Sequence, residues 1–257
     1  MKTAILLVSY GTQHGDKLER SVGGIQRYLQ KKFRNYPIYR AFTNQRIIEQ
    51  LWEESRIVVP TLGEAMIQMQ SDGIEQVIVQ PTYVVYGVEY EKLKDALDDY
   101  QEIFRVLKLG EPLLSMVEDY KACVHYVIEE WRVDKSEIIV IAGHGTKGYA
   151  QSAYAMLEYA FHSLGYTNVV VGTVNGYPDI TDVIQKLHCL ESKRIRIIPF
   201  MIVSGEHVYR KLVEGETSWV TRFRNIGFSV EVVDKGLGEI EGIQHIFAEH
   251  VKEAMES

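Results

Sequence analysis

The sequence predicts an α/β fold of two domains, each a parallel sheet flanked by helices. Two observations predict it. Short β-branched apolar runs alternate with longer amphipathic stretches along the whole chain, the pattern of repeated βαβ units. Several short stretches then recur in the same order in the two halves. A length of 257 residues, 46% of them apolar and 25% charged, suits one large α/β domain or two of ordinary size.

The first apolar run, Ala4–Ser9, follows Lys2 and briefly imitates a secretion signal, but a Gly-Thr turn replaces any cleavage site and it reads as a strand. Further strands are expected at Ile38–Phe42, Gln76–Gln80, Glu137–Ala142, Asn168–Thr173, Arg194–Pro199 and Ser229–Val233, with a shorter one at Leu107–Gly110. Helical periodicity fills Leu18–Phe33, Leu62–Ser71, Glu89–Val106, Asp119–Trp131, Ala150–Leu164, Ile180–Leu190, Val208–Phe223 and Ile240–Met255. No Pro- or Ser-rich linker marks a boundary, so it comes from the repetition. The break falls near Leu113–Lys121, giving domains 1–115 and 116–257, with the last helix able to pack back on the first.

The repetition is ordered. ILLVSYGT at Ile5–Thr12 matches IVIAGHGT at Ile139–Thr146, which sets Tyr10 against His144. RAFTN at Arg40–Asn44 lies where VGTVN at Val171–Asn175 lies, both ending on Asn. QPTYVVYGVEYEK at Gln80–Lys92 parallels IPFMIVSGEHVYR at Ile198–Arg210, setting Glu89 against His207. Each matched point follows a strand and precedes a helix, and in open parallel sheets that carboxyl edge is where ligands bind. With two such sheets facing each other, His144, Asn175 and His207 rim one wall, with Tyr10 and Glu89 nearby.

Composition excludes several classes. A net charge of −7 argues against a general nucleic-acid or anionic-membrane surface, although a local Lys/Arg cluster could still hold a polyanionic small molecule. No stretch reaches the ~18 apolar residues of a membrane span. Cys123 and Cys189 lie in helical patterns without C-x-x-C spacing and read as free buried thiols in a reducing compartment. The expectation is a cytoplasmic protein. No Walker loop and no G-x-G-x-x-G follows any strand, so nucleotide binding loses ground.

The paired histidines carry the chemistry. Neutral imidazole is the commonest ligand for mid-to-late first-row divalent metals. Two imidazoles and an oxygen donor would hold Co²⁺, Ni²⁺, Fe²⁺ or Zn²⁺ with positions left open. His125, His162, His188, His245 and His250 fall in helical patterns and His14 in a polar turn; none forms an H-x-x-x-H pair, and they read as structural.

LLVSYGT, RAFT, YGVEYEKL, GHGT, GYPD, PFMIVSGEHV and GLGE, in this order over essentially the whole chain, resemble the anaerobic cobalt chelatases of cobalamin biosynthesis. These are the class II, CbiK-type sirohydrochlorin cobaltochelatases. The resemblance implies two Rossmann-like domains in a chelatase-like fold with a tetrapyrrole cleft between them. It implies lyase chemistry without ATP: Co²⁺, a substrate metal, enters sirohydrochlorin, and no organic cofactor is needed. By the family pattern His144 and His207 match metal-binding histidines and Glu89 a catalytic acidic residue. The family's third ligand is a glutamate in a VEGYP-like stretch, and here that stretch reads VNGYP, which puts Asn175 in its place. One imidazole or Glu89 would accept pyrrole protons.

An acidic protein must recognise a polycarboxylate locally. Tyr10, Arg46, Lys147 and Arg210, with Lys211, flank the expected rim. The alternatives are a chelatase for Fe²⁺ or Ni²⁺, or a binding protein that holds a metallated tetrapyrrole without turnover. Two-domain enzymes of this size often pair, so homo-oligomerisation is compatible with the chain.

Overall fold

A strand covered by helices on both faces has no polar side to present, so it reads as a continuous apolar run. In the computed structural model of the protein the inner strands β1 (Thr3–Ser9) and β5 (Ile138–Gly143) are of this kind, and so is Val169–Thr173, which is buried throughout. In β1 every residue after Thr3 is buried, and β5 is buried throughout. One sheet is built about β1 and the other about β5. The structure describes the backbone of residues 1–257 and every side chain apart from those of residues 206–208.

After β1 come α1 (Gly15–Arg20), α2 (Val22–Lys32), β2 (Ile38–Phe42), α3 (Gln45–Ser55), α4 (Leu62–Ser71), β3 (Gln76–Pro81), α5 (Val88–Asp98) and β4 (Val106–Leu109). Then α6 (Val117–Trp131) leads into β5, followed by α7 (Ser152–Ser163), β6 (Val169–Thr173), α8 (Ile180–Leu187) and β7 (Arg194–Phe200). The chain ends with α9 (Glu206–Val213), α10 (Trp219–Asn225), β8 (Ser229–Val232) and α11 (Glu241–Glu256). The strands form two four-stranded sheets, β2-β1-β3-β4 and β6-β5-β7-β8, with every neighbouring pair parallel. The two sheets share one topology.

The chain divides into two compact units, Met1–Ser115 with Glu241–Ser257, and Met116–Ile240. In the first, Leu6, Val8, Met66, Met69, Val79 and Leu93 belong to one buried cluster. In the second, Val140, Ala142, Leu187, Trp219 and Phe223 belong to another. The helix α11 packs against α2 and β3 and so completes the first unit, although its sequence follows the second. Its buried stripe, Ile243, Ile246, Phe247, His250, Val251 and Ala254, has the i, i+3, i+4 spacing of a single helical face.

The edge strands β4 and β8 show the expected contrast, whereas the edge strand β6 is buried throughout. Residues of β8 alternate between exposed and half-buried, and β4 is half-buried throughout.

Five local expectations are corrected. The helix expected over Glu89–Val106 ends at Asp98, and Val106 is the first residue of β4. The helix expected over Leu18–Phe33 is two, α1 and α2, parted at Ser21, whose hydroxyl donates to the Lys17 carbonyl. The one expected over Val208–Phe223 is also two, parted by residues 214–218, where Gly215 takes φ 85°. The stretch Gln45–Ser55 carries a helix, α3, that was not expected. Leu51 is its only buried residue, and its start is fixed by the Asn44 side chain, which accepts from the Ile47 N–H at 3.1 Å. Cys123 is buried as expected, but Cys189 is exposed. Among the described residues no helix is long and apolar enough to cross a membrane.

The stability of the first unit depends on its last helix. Phe247→Ala removes a fully buried ring from α11 and is expected to cost about 3–5 kcal/mol, measured by urea denaturation. A loss below about 1 kcal/mol would contradict this packing.

Candidate metal and tetrapyrrole site

In both sheets the inner strand sends its chain to one neighbour on one side and receives the next on the other. A crevice opens where the strand order reverses, beyond the carboxyl ends of β1 and β3 in one unit and of β5 and β7 in the other. The residues singled out by the repeat stand at equivalent backbone positions around these two edges. Tyr10 is the first residue after β1, and His144 the first after β5. Asn44 and Asn175 each stand two residues after β2 and β6. Glu89 and His207 are each the second residue of the helix that follows β3 and β7, behind a glycine at the helix start, Gly87 or Gly205.

In the second unit the loops after β5 and β6 meet through their backbones. The Val174 N–H donates to the Gly143 carbonyl at 3.0 Å and the Asn175 N–H to the His144 carbonyl at 2.9 Å. Gly145 lies between them at φ 86°, and a Cβ there would stand 2.8 Å from the Asn175 carbonyl carbon and the Gly176 nitrogen. Only glycine fits, because a left-handed residue with a side chain would also push against backbone. The Gly145 N–H donates to the phenol oxygen of Tyr154 at 3.1 Å. Burial pushes the Tyr154 phenol up to about 12, against which the Gly145 bond acts only in part.

Three side chains join at this edge. His144 Nδ1 lies 3.0 Å from the Gly145 carbonyl. Its Nε2 lies 3.4 Å from the Asn175 amide nitrogen, and the Lys211 ammonium on α9 donates to Asn175 Oδ1. A carbonyl can only accept, so in the neutral imidazole Nδ1 bears the hydrogen and Nε2 keeps its lone pair. That lone pair is the one a metal would use. All three side chains are exposed. The side chain of His207 lies outside the described residues, and its backbone places it one helical turn before Lys211. Among the described residues no three His, Cys, Asp or Glu side chains cluster as a metal site; the neighbour of His144 is an amide.

The first unit bears a cavity of about 590 Å³ at its own carboxyl edge. Tyr10, Thr43, Asn44, Arg46, Glu89 and Lys92 are among its lining residues. The Glu89 carboxylate accepts from Lys92 Nζ at 3.0 Å, and this bond raises the lysine above its ordinary value. Below, the Tyr83 phenol shares a 3.2 Å hydrogen bond with Thr43 and burial pushes it up to about 12. The Thr43 N–H donates to the Ser9 carbonyl at 3.0 Å, the counterpart of the bond from Val174 to Gly143.

The expected residues therefore fall into two groups. Tyr10, Arg46 and Glu89 line one cavity in the first unit, and His144 and Asn175 touch in the second. Arg210 and Lys147 are exposed in the second unit. Arg210 pairs with Glu214 at 3.7 Å along its own helix, and Lys147 precedes a single 3₁₀ turn at Gly148–Gln151. Lys92 was overlooked in the sequence, although its i+3 spacing from Glu89 puts both on one helix face.

Two copies of one open sheet, with polar groups gathered at each carboxyl edge, define an α/β protein of the chelatase fold. SirB from Bacillus subtilis with Fe³⁺ superposes with a TM-score of 0.70 at 16% identity, covering 99% of this chain and 96% of that one. The chain belongs to the cobalt chelatase (CbiK) family, whose model matches residues 3–256. It is similar to the sirohydrochlorin cobaltochelatase of Salmonella typhimurium, 29% identical over 99% of this chain and 97% of that protein. It is also similar to sirohydrochlorin cobaltochelatase CbiKC of Nitratidesulfovibrio vulgaris, 23% identical over 99% and 91%.

Tyr154→Phe leaves the Gly145 N–H without its acceptor and is expected to cost about 1–3 kcal/mol in urea denaturation at neutral pH. Because the folded phenol ionises only near 12, against 10.0 for an unperturbed one, its contribution is full below about pH 10 and is lost as pH rises through 12. The alkaline decline should therefore be shallower in Tyr154→Phe than in the parent. Equal stability and equal alkaline slopes would contradict the assignment.

Proposed function

We propose that this chain inserts Co²⁺ into sirohydrochlorin without ATP, and that the carboxyl edge of the second sheet holds the ion. The observation that carries the reading is the orientation of His144. Its Nδ1 faces the Gly145 carbonyl at 3.0 Å, which leaves Nε2 as the ligating nitrogen. The family supports cobalt as the metal substrate, and the names of the similar proteins support the macrocycle.

Metallation removes the pyrrole N–H protons and delivers a partly desolvated cation to the ring centre. A closed four-ligand site would retain the ion, whereas two imidazoles leave coordination positions for the ring nitrogens. On this reading His144 and His207 ligate Co²⁺, and Asn175 offers a neutral amide oxygen that binds more weakly than carboxylate. Glu89 takes up pyrrole protons, with Lys92 holding its carboxylate in place through their 3.0 Å bond. Arg46, Lys147 and Arg210 take carboxylates of the macrocycle through charge-assisted hydrogen bonds, and Tyr10 lies against the ring.

The test follows the absorption spectrum of sirohydrochlorin with Co²⁺ and purified protein. His144→Ala and His207→Ala are expected to lose metallation, and Glu89→Gln to slow it by roughly 10²-fold or more. Rates equal to the parent in both histidine variants would contradict the assignment. Tight binding of cobalt-sirohydrochlorin with no acceleration over the uncatalysed reaction would make the chain a carrier instead. Faster insertion of Fe²⁺ or Ni²⁺ than of Co²⁺ would replace the metal.

A further inference from the structure

The edge of the second sheet carries a positive charge for which metal binding alone gives no reason. Lys211 donates its ammonium to Asn175 Oδ1. An ammonium has only hydrogens to offer, so this bond decides which way round the amide lies. Its oxygen faces Lys211 and its NH₂ group faces His144 Nε2 at 3.4 Å. Both atoms that would accept a cation are thereby engaged: the imidazole lone pair faces amide hydrogens, and the amide oxygen faces a positive charge. A divalent ion placed there would also be repelled by the ammonium at short range.

We propose that Lys211 is a positioning residue that keeps Asn175 turned away from the metal until a carboxylate of the macrocycle draws it off. The inference rests on the chelatase reading above and adds an order to it: macrocycle first, metal second. Two arguments favour the exchange. A carboxylate offers the ammonium a full opposite charge that a neutral amide lacks, and Lys211 is exposed on a long flexible stem that can swing to it. Once released, the amide needs only to rotate about its Cβ–Cγ bond to bring its oxygen to where its NH₂ group had been, beside His144 Nε2. Lys211 keeps its proton throughout; only hydrogen bonds and coordination change.

The test titrates Co²⁺ alone into the parent, Lys211→Met, Lys211→Arg and the double variant Lys211→Met/Asn175→Ala. Lys211→Met is expected to bind the ion roughly tenfold more tightly than the parent, and Lys211→Arg to behave as the parent. The double variant is expected to lose the gain, because the freed amide oxygen is its source. In turnover, Lys211→Met should raise KM for sirohydrochlorin. No gain in Lys211→Met overturns the proposal, and so does a gain that survives in the double variant, since the ammonium would then act by charge without Asn175. Failure of the chelatase reading is seen separately, as a parent protein that does not metallate sirohydrochlorin.

Discussion

The loops that follow β5 and β6 touch through bare backbone, and Gly145 is where they do so. A methyl group at that position would stand 2.8 Å from main-chain atoms of Asn175 and Gly176, which have no side-chain freedom with which to yield. Close approach lets the Asn175 N–H reach the His144 carbonyl at 2.9 Å, so an imidazole and an amide from separate strands share one spot. The buried phenol of Tyr154 holds the Gly145 N–H from beneath. Without that contact each side chain would ride on its own loop, and the 3.4 Å approach of the Asn175 amide to His144 Nε2 would not be held.

The first unit repeats this frame with other side chains. Gly11 takes a similar positive φ of 106° after β1, and the Thr43 N–H reaches across to the strand end at Ser9. Yet Tyr10 stands where the second unit has His144. Asn44, the counterpart of Asn175, is spent on capping α3. Glu89 replaces His207 and is tied to Lys92. One architecture thus presents nitrogen and amide groups at one edge and a phenol, a carboxylate and two cations at the other. On the proposed reading the second edge holds the metal and the first supplies the proton acceptor, with cations for carboxylates at both. On the same reading a chain of net charge −7 holds a polyanion through a few local cations.

Much of this was legible in the sequence because it depends on local pattern. Buried parallel strands leave long apolar runs such as Ile139–Ala142, and the turn after each run leaves its glycine, so the backbone positions of Tyr10 and His144 could be read directly. The helix α3 carries a short apolar stripe, Ile47, Ile48, Leu51 and Trp52, that was legible by its spacing, but only Leu51 is fully buried. What could not be read depends on tertiary partners. The break at Ser21 comes from a hydroxyl bonding back to the Lys17 carbonyl. Cys189 lies past the end of α8, where the apolar pattern continues but the helix does not. Lys211 read as one of the cations at the expected rim; its bond to Asn175 joins residues 36 positions apart and has no local signature. The helix α11 gives no sign in its own residues that it belongs to the first unit.

The most direct measurement of the central claim is cobalt-edge X-ray absorption on the Co²⁺-loaded protein. Equivalent loops at one sheet edge require imidazole scattering from two histidines with oxygen donors completing the shell, and one imidazole fewer in each single histidine variant at positions 144 and 207. An all-oxygen shell, or a spectrum unchanged when either histidine is removed, would contradict it.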